Sequence, residues 1–171
     1  MNYIVETERL RLRALTLDDT AFIIELVNSP GWIKYIGDRN IKTEEQAIHY
    51  LENGPIKSYH EHGFGLLMVE TKKCNQQIGM CGILKRDTLE HPDIGYALLP
   101  AFTGNGYAFE MADAVLQYAT LQLKLSTIFA ITVPENVSSI KILEKIGLTF
   151  MKRIQLPHTH EELLLYAVGI S

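Results

Sequence analysis

Residues 93–118 read DIGYALLPAFTGNGYAFEMADAVLQY, and this stretch predicts a strand, a glycine-rich loop and a helix in succession. The first seven residues have the length and composition of a strand, which ends at Pro100 because proline cannot donate to a sheet ladder. Gly104 and Gly106 then flank Asn105. After them apolar side chains recur at helical spacing and form one apolar face: Ala108, Met111, Ala112, Val115, Leu116 and Ala119.

The glycine-rich loop is a candidate anion site. The first amides of a helix have no acceptor within the helix, and small residues let a phosphate approach them. The string G-x-x-x-x-G-K-[ST] does not occur, and Phe109 stands where the dinucleotide pattern G-x-G-x-x-G needs its third glycine. A structural turn, whose glycines only supply positive φ, explains the same residues. The local sequence leaves both interpretations open.

The rest of the chain divides into strands and helices without repeats or a linker. Thr16 and Thr43 stand at expected helix N-caps, so helices are predicted up to about Asn28 and Glu52, the first broken by residues 29–31. A later helix spans residues 136–146, with Gly147 as its C-terminal cap. Strands are predicted over residues 8–14, 64–71, 77–84, 93–99, 127–133, 148–154 and 162–168. About seven strands and four helices in this order predict an α/β fold of the α+β type, with a mixed sheet flanked by helices.

The composition narrows the class of protein. The chain has 171 residues, 47% of them hydrophobic, which suits a single domain over residues 1–171. The net charge of −4 argues against nucleic acid as the main partner, and Arg9, Arg11 and Arg13 are expected to form a solvated face. No apolar run is long enough to cross a bilayer, so no membrane partner is expected.

The cysteines and histidines bear on compartment and metal binding. Two cysteines do not make a disulfide framework, and residues 1–6 do not resemble a signal peptide, so we expect a reduced, cytoplasmic protein. Histidines cluster at residues 60–62 (HEH) and 158–161 (HTHE). Because a metal site of this kind needs three or four converging ligands, we interpret them as surface histidines and expect no metal.

Residues 103–108 (TGNGYA) resemble the [QR]-x-x-G-x-[GA] signature of the GNAT N-acetyltransferases, without its first residue. Three further segments resemble the subgroup that acetylates ribosomal-protein N-termini. Residues 7–13 (TERLRLR) are similar to its opening strand, residues 93–96 (DIGY) to its "EIGY" strand, and residues 136–147 (NVSSIKILEKIG) to its "NxxSxxxLEKxG" helix. The four motifs occur in the expected order along nearly the whole chain.

The resemblance implies a single GNAT-like domain with a twisted, mostly antiparallel sheet that binds acetyl-CoA in a splay between the strands at residues 93–99 and 127–133. Backbone groups near Leu98 and Leu99 would bond the pantetheine arm and polarise the acetyl carbonyl, while the amides of residues 104–108 would hold the pyrophosphate. The cofactor-binding residues expected on this basis are Leu98, Leu99, Thr103, Gly104, Asn105, Gly106, Tyr107, Ala108, Asn136 and Lys141.

Thr103 is the main departure from the signature, which has Gln or Arg at this position. Losing a charged hydrogen bond costs about 1.5–3 kcal/mol, whereas micromolar binding is worth about 8 kcal/mol. We therefore expect weakened acetyl-CoA binding at worst.

The same resemblance suggests residues for proton transfer. Asp93 matches the glutamate of "EIGY", which acts as a base in some relatives; a solvated carboxylate at a strand start is the alternative. Asn136 and Ser139 lie three residues apart and face the cofactor in this interpretation, although helix capping explains them equally well. Many relatives carry a tyrosine acid where this chain has Leu143. Ser139 is then the candidate acid, or the protein supplies none.

The acceptor implied by the resemblance is a primary amine that attacks acetyl-CoA in a ternary complex. Its pocket is expected from residues 29–40, with Trp32 and Tyr35, and from residues 155–162, with Glu161 and Glu162. The aromatic side chains either line this pocket or cover the edge of the core. A protein or peptide α-amine is the favoured acceptor, with polyamines, amino acids and aminoglycosides as alternatives. The protein is expected to be a monomer or a homodimer. A non-catalytic acyl-CoA-binding module and a purely structural domain are the rival interpretations.

Overall fold

One sheet of eight strands organises the computed structural model, which describes residues 2–157 and 159–169. The strands are β1 (Tyr3–Glu6), β2 (Leu10–Ala14), β3 (Leu66–Thr71), β4 (Gln77–Leu84), β5 (Asp93–Leu98), β6 (Ile128–Thr132), β7 (Thr149–Ile154) and β8 (Leu163–Val168). The helices are α1 (Thr20–Val27), α2 (Pro30–Tyr35), α3 (Glu44–Leu51), α4 (Lys57–His62), α5 (Tyr107–Leu121) and α6 (Val137–Lys145).

The predicted fold class is confirmed, with one strand and two helices more than expected. The added strand, β1, has four residues and pairs with β2 at the sheet edge; it is too short to show a clear period in the sequence. Pro30 was expected to break a helix, but it occupies the first turn of α2, where its missing N–H is not needed. The helix predicted to end near Glu52 continues through a wide turn that holds Pro55 and leads into α4.

The strand order is β1-β2-β3-β4-β5-β6-β8-β7, and β5 and β6 are the single parallel pair of neighbours in the described sheet. The crossover between these two strands contains α5. In open sheets, ligands bind beyond the carboxyl ends of parallel strands where the chain order changes direction. The topology therefore directs attention to the ends of β5 and β6.

The sheet separates two layers of core. On one face, here called the α5/α6 face, the two helices pack over residues that include Ile94 and Ile128. On the opposite face, the α1/α3 face, α1 and α3 pack over Met68 and Met80. Side chains alternate along β5, so Ile94, Tyr96 and Leu98 face α5 and α6, while Asp93, Ala97 and the following Leu99 face the other way.

The expectation of a solvated arginine face is wrong for Arg13. Arg13 is 6% exposed, and its side chain donates to both oxygens of Asp19, at 3.0 and 2.9 Å, and to Glu70 at 3.2 Å. The hydrogen bond with Asp19 raises the pKa of the guanidinium further above its usual range. The spacing in the sequence grouped the three arginines together, whereas Arg13 alone is enclosed, because Asp19 before α1 and Glu70 of β3 lie against it.

Candidate active site

β5 and β6 part soon after they begin. In the described sheet Asp93 is paired with Phe129, whose amide donates to the Pro92 carbonyl at 2.8 Å, and no later residue of either strand is paired across the gap. β5 continues to Leu98 and β6 to Thr132. The two strands therefore form the sides of a splay that opens at their carboxyl ends, as the family resemblance implies.

Leu98, and not Leu99, presents its amide to this splay. The Leu99 amide donates to the Ile78 carbonyl at 2.8 Å, and the Leu99 carbonyl accepts from Phe102 at 3.0 Å. Bonded and non-bonded pairs alternate in an antiparallel ladder, so the Leu98 amide, opposite Gly79, points away from β4 and towards β6. Leu99 is thereby removed as a backbone donor, and Leu98 remains.

The glycine-rich loop ends at an uncapped helix N-terminus. Gly104 and Gly106 have φ angles of +80° and +81°, a left-handed conformation that glycine adopts without strain. Gly106 is the N-cap of α5, and no side chain hydrogen-bonds to the first turn. The Gly106 carbonyl accepts from the Glu110 amide, so the amides of residues 107–109 have no acceptor within the helix. These amides and the helix dipole together favour the binding of an anion at the N-terminus of α5.

The side chains of the loop bond to its own backbone. The Thr103 hydroxyl donates to the Pro100 carbonyl at 2.8 Å, and the Asn105 side chain donates to the Thr103 carbonyl at 3.3 Å. Thr103 thus closes the short turn before the loop. Thr103 does not offer the side-chain donor that Gln or Arg has at this position of the GNAT signature.

Arg9, which the sequence interpretation set aside as solvated, lies against this loop. Its Nη1 donates to the Asn105 carbonyl at 3.0 Å, and its Nε donates to Glu110 at 2.9 Å. The guanidinium lies over the Tyr107 ring, 4.3 Å from its centre. A Cβ atom on Gly106 would lie 3.3 Å from the Arg9 Nη2. Arg9 therefore stabilises one side of the glycine-rich loop.

Glu110 holds Arg9 in this position. Burial by itself would raise the pKa of Glu110, but hydrogen bonds from Thr7 and Arg9, together with the charge of Arg9, lower it. The Thr7 hydroxyl donates to the same carboxylate at 2.6 Å. Thr7 and Arg9 both belong to the TERLRLR motif. The motif therefore marked these two residues in the sequence, although it predicted only a strand and not their contact with Glu110.

Asp93 is buried and ion-paired, which contradicts the alternative of a solvated carboxylate. Its side chain is 1% exposed, and the Arg86 Nε lies 3.0 and 3.2 Å from its two oxygens. Burial raises the pKa of Asp93, and the charge and hydrogen bond of Arg86 oppose this rise. Asp93 can take a proton from an amine only if the amine reaches its buried carboxylate, whose ionised form Arg86 stabilises. Its role as a base stays a prediction.

Ser139 meets a tyrosine across the splay. Its hydroxyl lies 3.0 Å from the hydroxyl of Tyr96, which comes from β5 on the α5/α6 face. Burial raises the pKa of Tyr96 to about 12, so the phenol remains protonated at neutral pH. The sequence interpretation used Tyr96 only as part of a motif and missed this pairing, because residues 96 and 139 are far apart in the chain.

The other residues predicted on α6 have simpler environments. Asn136 is the N-cap and accepts from the Ser139 amide at 3.2 Å, so its capping role is confirmed. Leu143 is 1% exposed and belongs to the core. Lys141 is exposed, and no described residue forms an ion pair with it. Its contact with a nucleotide stays a prediction.

Comparison with known proteins assigns this arrangement to a family. Residues 9–149 match the family model described as an acetyltransferase (GNAT) domain. The chain belongs to the GNAT acetyltransferase family. The predicted acetyltransferase class is thereby confirmed.

Individual relatives agree with the family. YoaA of Bacillus subtilis (strain 168), an uncharacterized N-acetyltransferase, is 30% identical over 146 residues, which cover 84% of this chain and 81% of YoaA. The crystal structure of an acetyltransferase from Agrobacterium tumefaciens matches with a TM-score of 0.81 at 26% identity, covering 98% of this chain and 94% of that one. RimL, a ribosomal alpha-N-protein acetyltransferase solved in complex with coenzyme A, matches with a TM-score of 0.82 over 99% of this chain and 98% of its own. Its 16% identity shows a shared fold alone.

One predicted acceptor segment of this GNAT protein packs at the α1/α3 face, whereas Leu156 of the other packs in a separate cluster with Phe129 and Leu165. Trp32 is 6% exposed within the core, so for this residue the alternative of covering the core edge is confirmed. Tyr35 is partly buried, with the Lys34 ammonium 5.0 Å from its ring centre. In the final hairpin, Glu162 pairs with Arg153 at 2.8 Å and both are well exposed. His158 lies outside the described residues.

A cavity of about 630 Å³ adjoins this hairpin. It lies between residues 88–91, β6 and the end of β7, and Phe129, which is paired with Asp93 in the sheet, forms part of its wall. Its apolar wall consists mainly of Leu89, Phe129, Ile154, Leu156, Pro157 and Leu165. An acceptor with an apolar part would find room here.

One histidine cluster lies in a described helix, and the other includes a residue outside the described part of the chain. His60 and His62 lie in the last turn of α4, and the second cluster includes His158. Over residues 2–157 and 159–169, no three His, Cys, Asp or Glu side chains converge as metal ligands. None of the helices in these ranges combines the length and apolar character needed to cross a bilayer.

Proposed function

We propose that this GNAT protein transfers the acetyl group of acetyl-CoA to a primary amine within a ternary complex, and that the amine is the α-amine of a protein or peptide. The observation that carries the proposal is the combination of the β5/β6 splay with an uncapped α5 N-terminus at its open end. The TERLRLR, DIGY and NVSSIKILEKIG segments support the α-amine acceptor, because they resemble the subgroup that acetylates ribosomal-protein N-termini.

The residues present fit acetyl-CoA, which supplies an activated acetyl group and a thiolate leaving group. In this proposal the amides of residues 104–108 hold the pyrophosphate, with a contribution from Lys141. The Leu98 amide donates to the acetyl carbonyl oxygen, where negative charge develops as the amine attacks. Asn136 and Ser139 contact the pantetheine arm or its sulfur on the α5/α6 face of the splay. The amine enters from the opposite face.

Proton transfer is divided between the two faces. Ser139, fixed by Tyr96, delivers a proton on the side of the leaving group. Asp93 lies on the acceptor side, where the Arg86 contact leaves it poorly placed to take a proton. An amine that arrives neutral has already lost its proton and needs no protein base for the attack, whereas a base role for Asp93 requires that the amine reaches its buried carboxylate.

Replacing Arg9 with methionine is expected to raise the KM for acetyl-CoA about five- to tenfold, with kcat little changed. The reason is that the glycine-rich loop loses a charge-assisted hydrogen bond from an exposed side chain. Steady-state kinetics at several acetyl-CoA concentrations measure this. Arg11→Met is the matched control, since Arg11 lies on the same segment but stacks over Tyr3. Equal KM values for the two variants would remove Arg9 from the site.

Ser139→Ala is expected to lower kcat about 100-fold or more if Ser139 is the acid, and Tyr96→Phe about tenfold because it only positions that acid. Ser138→Ala, on the exposed neighbouring residue of α6, is the control. The pH dependence of kcat separates proton transfer from a structural effect, since only the former changes its shape. An unaltered turnover rate in Ser139→Ala would exclude Ser139 as the acid.

Calorimetric titration of acetyl-CoA into the purified protein tests the proposal most directly, with dephospho-CoA and adenosine as controls. Micromolar binding that needs the pantetheine and pyrophosphate supports the site, and thiol release with a panel of amines then tests transfer. Binding without transfer to any amine would favour the non-catalytic acyl-CoA-binding alternative. No binding at millimolar acetyl-CoA would contradict the proposed function. Polyamines, amino acids and aminoglycosides in the panel test the alternative acceptors.

A further inference from the structure

The cavity of about 630 Å³ beside the final hairpin lies on the side of the sheet from which the amine enters in the proposed function. Side chains alternate along β6, and Ile128 and Ala130 pack under α5 and α6. Phe129 and Ile131 therefore point to the opposite side, where Leu165 of β8 packs with them. The floor of the cavity is thus the part of the sheet beyond β5, on the same side as α1 and α3.

The segment between β4 and β5 forms one wall of the cavity and is held in place. Residues 88–91 line the cavity, and Leu89 is 8% exposed. The Lys85 ammonium donates to the Leu89 carbonyl at 3.2 Å. The ion pair of Arg86 with Asp93 joins the same segment to the start of β5. Because this wall is fixed in advance, filling the cavity costs little ordering of the protein.

The lining of the cavity favours an apolar occupant. Leucine, isoleucine, phenylalanine and proline side chains form most of its wall, and Glu90 and Lys152 carry opposite charges at its rim. Its volume lies within the range of about 300–1,000 Å³ that is usual for ligand pockets. A polycation gains little here, because its ammonium groups would lose water without meeting an excess of carboxylates. Apolar side chains fit the cavity better than a polyamine or an aminoglycoside does.

The cavity extends along β6 from the closed end of the splay towards its open end. Phe129, in its floor, is paired with Asp93 at the closed end. Ile154, at the other end of the cavity, is paired with β8 one residue beyond the last pair of β6 with β8. Leu98 lies five residues after Asp93 in β5, so its amide is about 16 Å from the level of Phe129 along the strands. An extended peptide of about five residues covers this distance.

We propose that this cavity binds apolar side chains of an extended peptide acceptor whose N-terminal amine reaches the Leu98 amide. This inference rests on the proposed function, because it names the acceptor of the same reaction. The amine lies at the open end of the splay, and the next four residues run along β6 towards its closed end. Alternate side chains of the peptide then point to the apolar floor. A free amino acid is too short to fill the cavity while its amine reaches the splay.

Matched acceptors test the inference by thiol release from acetyl-CoA. The leucine peptide, Ala-Leu-Leu-Leu-Ala amide, is compared with the serine peptide, Ala-Ser-Ser-Ser-Ala amide, which has the same length and the same N-terminal residue. Alaninamide and spermidine serve as short acceptors. We expect kcat/KM to be at least about tenfold higher for the leucine peptide than for each of the other three, because the burial of even one leucine side chain contributes that much.

Variants of the cavity locate the effect. Leu156→Asn and Met151→Ser are expected to raise the KM of the leucine peptide about fivefold, and so to narrow its advantage over the serine peptide. Leu156 is partly buried and Met151 is 46% exposed, so neither variant empties the core. Leu121→Asn is the matched control, because it removes a leucine that is 64% exposed at the end of α5. It should retain the full preference.

The outcomes separate this inference from the proposed function. Equal kcat/KM for the two peptides, a higher value for alaninamide or spermidine, or a full preference in both cavity variants overturns the inference and leaves acetyl transfer intact. If no amine is acetylated, the proposed function fails. Calorimetric titration of the two peptides, which needs no turnover, then judges the cavity. Binding of the leucine peptide alone, weakened in Leu156→Asn, supports the inference, and equal or absent binding overturns it.

A second copy of this chain is the alternative occupant of the cavity. Sedimentation equilibrium of the unaltered protein and of Leu156→Asn tests it. A dimer that this variant dissociates, together with equal rates for the two peptides, would assign the cavity to an interface between copies and overturn the inference. A sedimentation profile that the variant leaves unchanged, together with the preference for the leucine peptide, supports the peptide as occupant.

Discussion

Gly106→Val is expected to abolish acetyl-CoA binding, raising the dissociation constant more than about 100-fold. Gly106 has a φ angle of +81°, which a β-branched residue adopts only at a cost on the order of 1–3 kcal/mol. The new side chain would also meet Arg9, whose Nη2 lies 3.3 Å from the added Cβ, and would occupy the approach to the α5 amides. Isothermal titration with acetyl-CoA measures the loss.

Gly63→Val is the matched control for this variant. Gly63 has a φ angle of +78° at the end of α4, and an added Cβ would have nothing within 4 Å, so the backbone strain is similar but the loop is untouched. Both variants should lose similar thermal stability, and Gly63→Val should bind acetyl-CoA like the unaltered protein. If Gly106→Val binds equally well, the pyrophosphate does not lie on this loop.

Arg13→Ala is expected to destabilise the fold by about 3–5 kcal/mol, because it leaves the carboxylates of Asp19 and Glu70 buried without their cation. Arg13 and Asp19 are 6% and 3% exposed, so water does little to compensate. For a chain of this size the melting temperature should fall on the order of 10 °C. Urea unfolding followed by circular dichroism measures the free energy of unfolding.

Arg153→Ala provides the comparison for Arg13→Ala. Arg153 also forms an ion pair, with Glu162 at 2.8 Å, but both side chains are more than half exposed. Exposed pairs of this kind contribute about 0–1 kcal/mol. A loss for Arg13→Ala no larger than that for Arg153→Ala would contradict a structural role for the buried ion cluster.

Local patterns predicted the elements that organise the site. The polar turn at residues 72–76 located β4 at residues 77–84, and the capping box at Thr43 located the start of α3. The sequence alone indicates Gly104 and Gly106, because short-range backbone geometry selects glycine there. β1 and the short helices α2 and α4 were missed, since four to six residues carry too little periodicity.

The sequence by itself determined the family of this protein, the β5–loop–α5 unit and the candidate residues along it, because turns, caps and helix faces depend on neighbours within a few positions. Only the tertiary structure decided which partners those residues meet. Arg9 reaches the Asn105 carbonyl, Ser139 meets Tyr96, and Arg13 is enclosed with Glu70, across separations of 96, 43 and 57 residues. Such contacts follow from the stacking order of strands in the sheet, a property of the whole chain that no local pattern encodes.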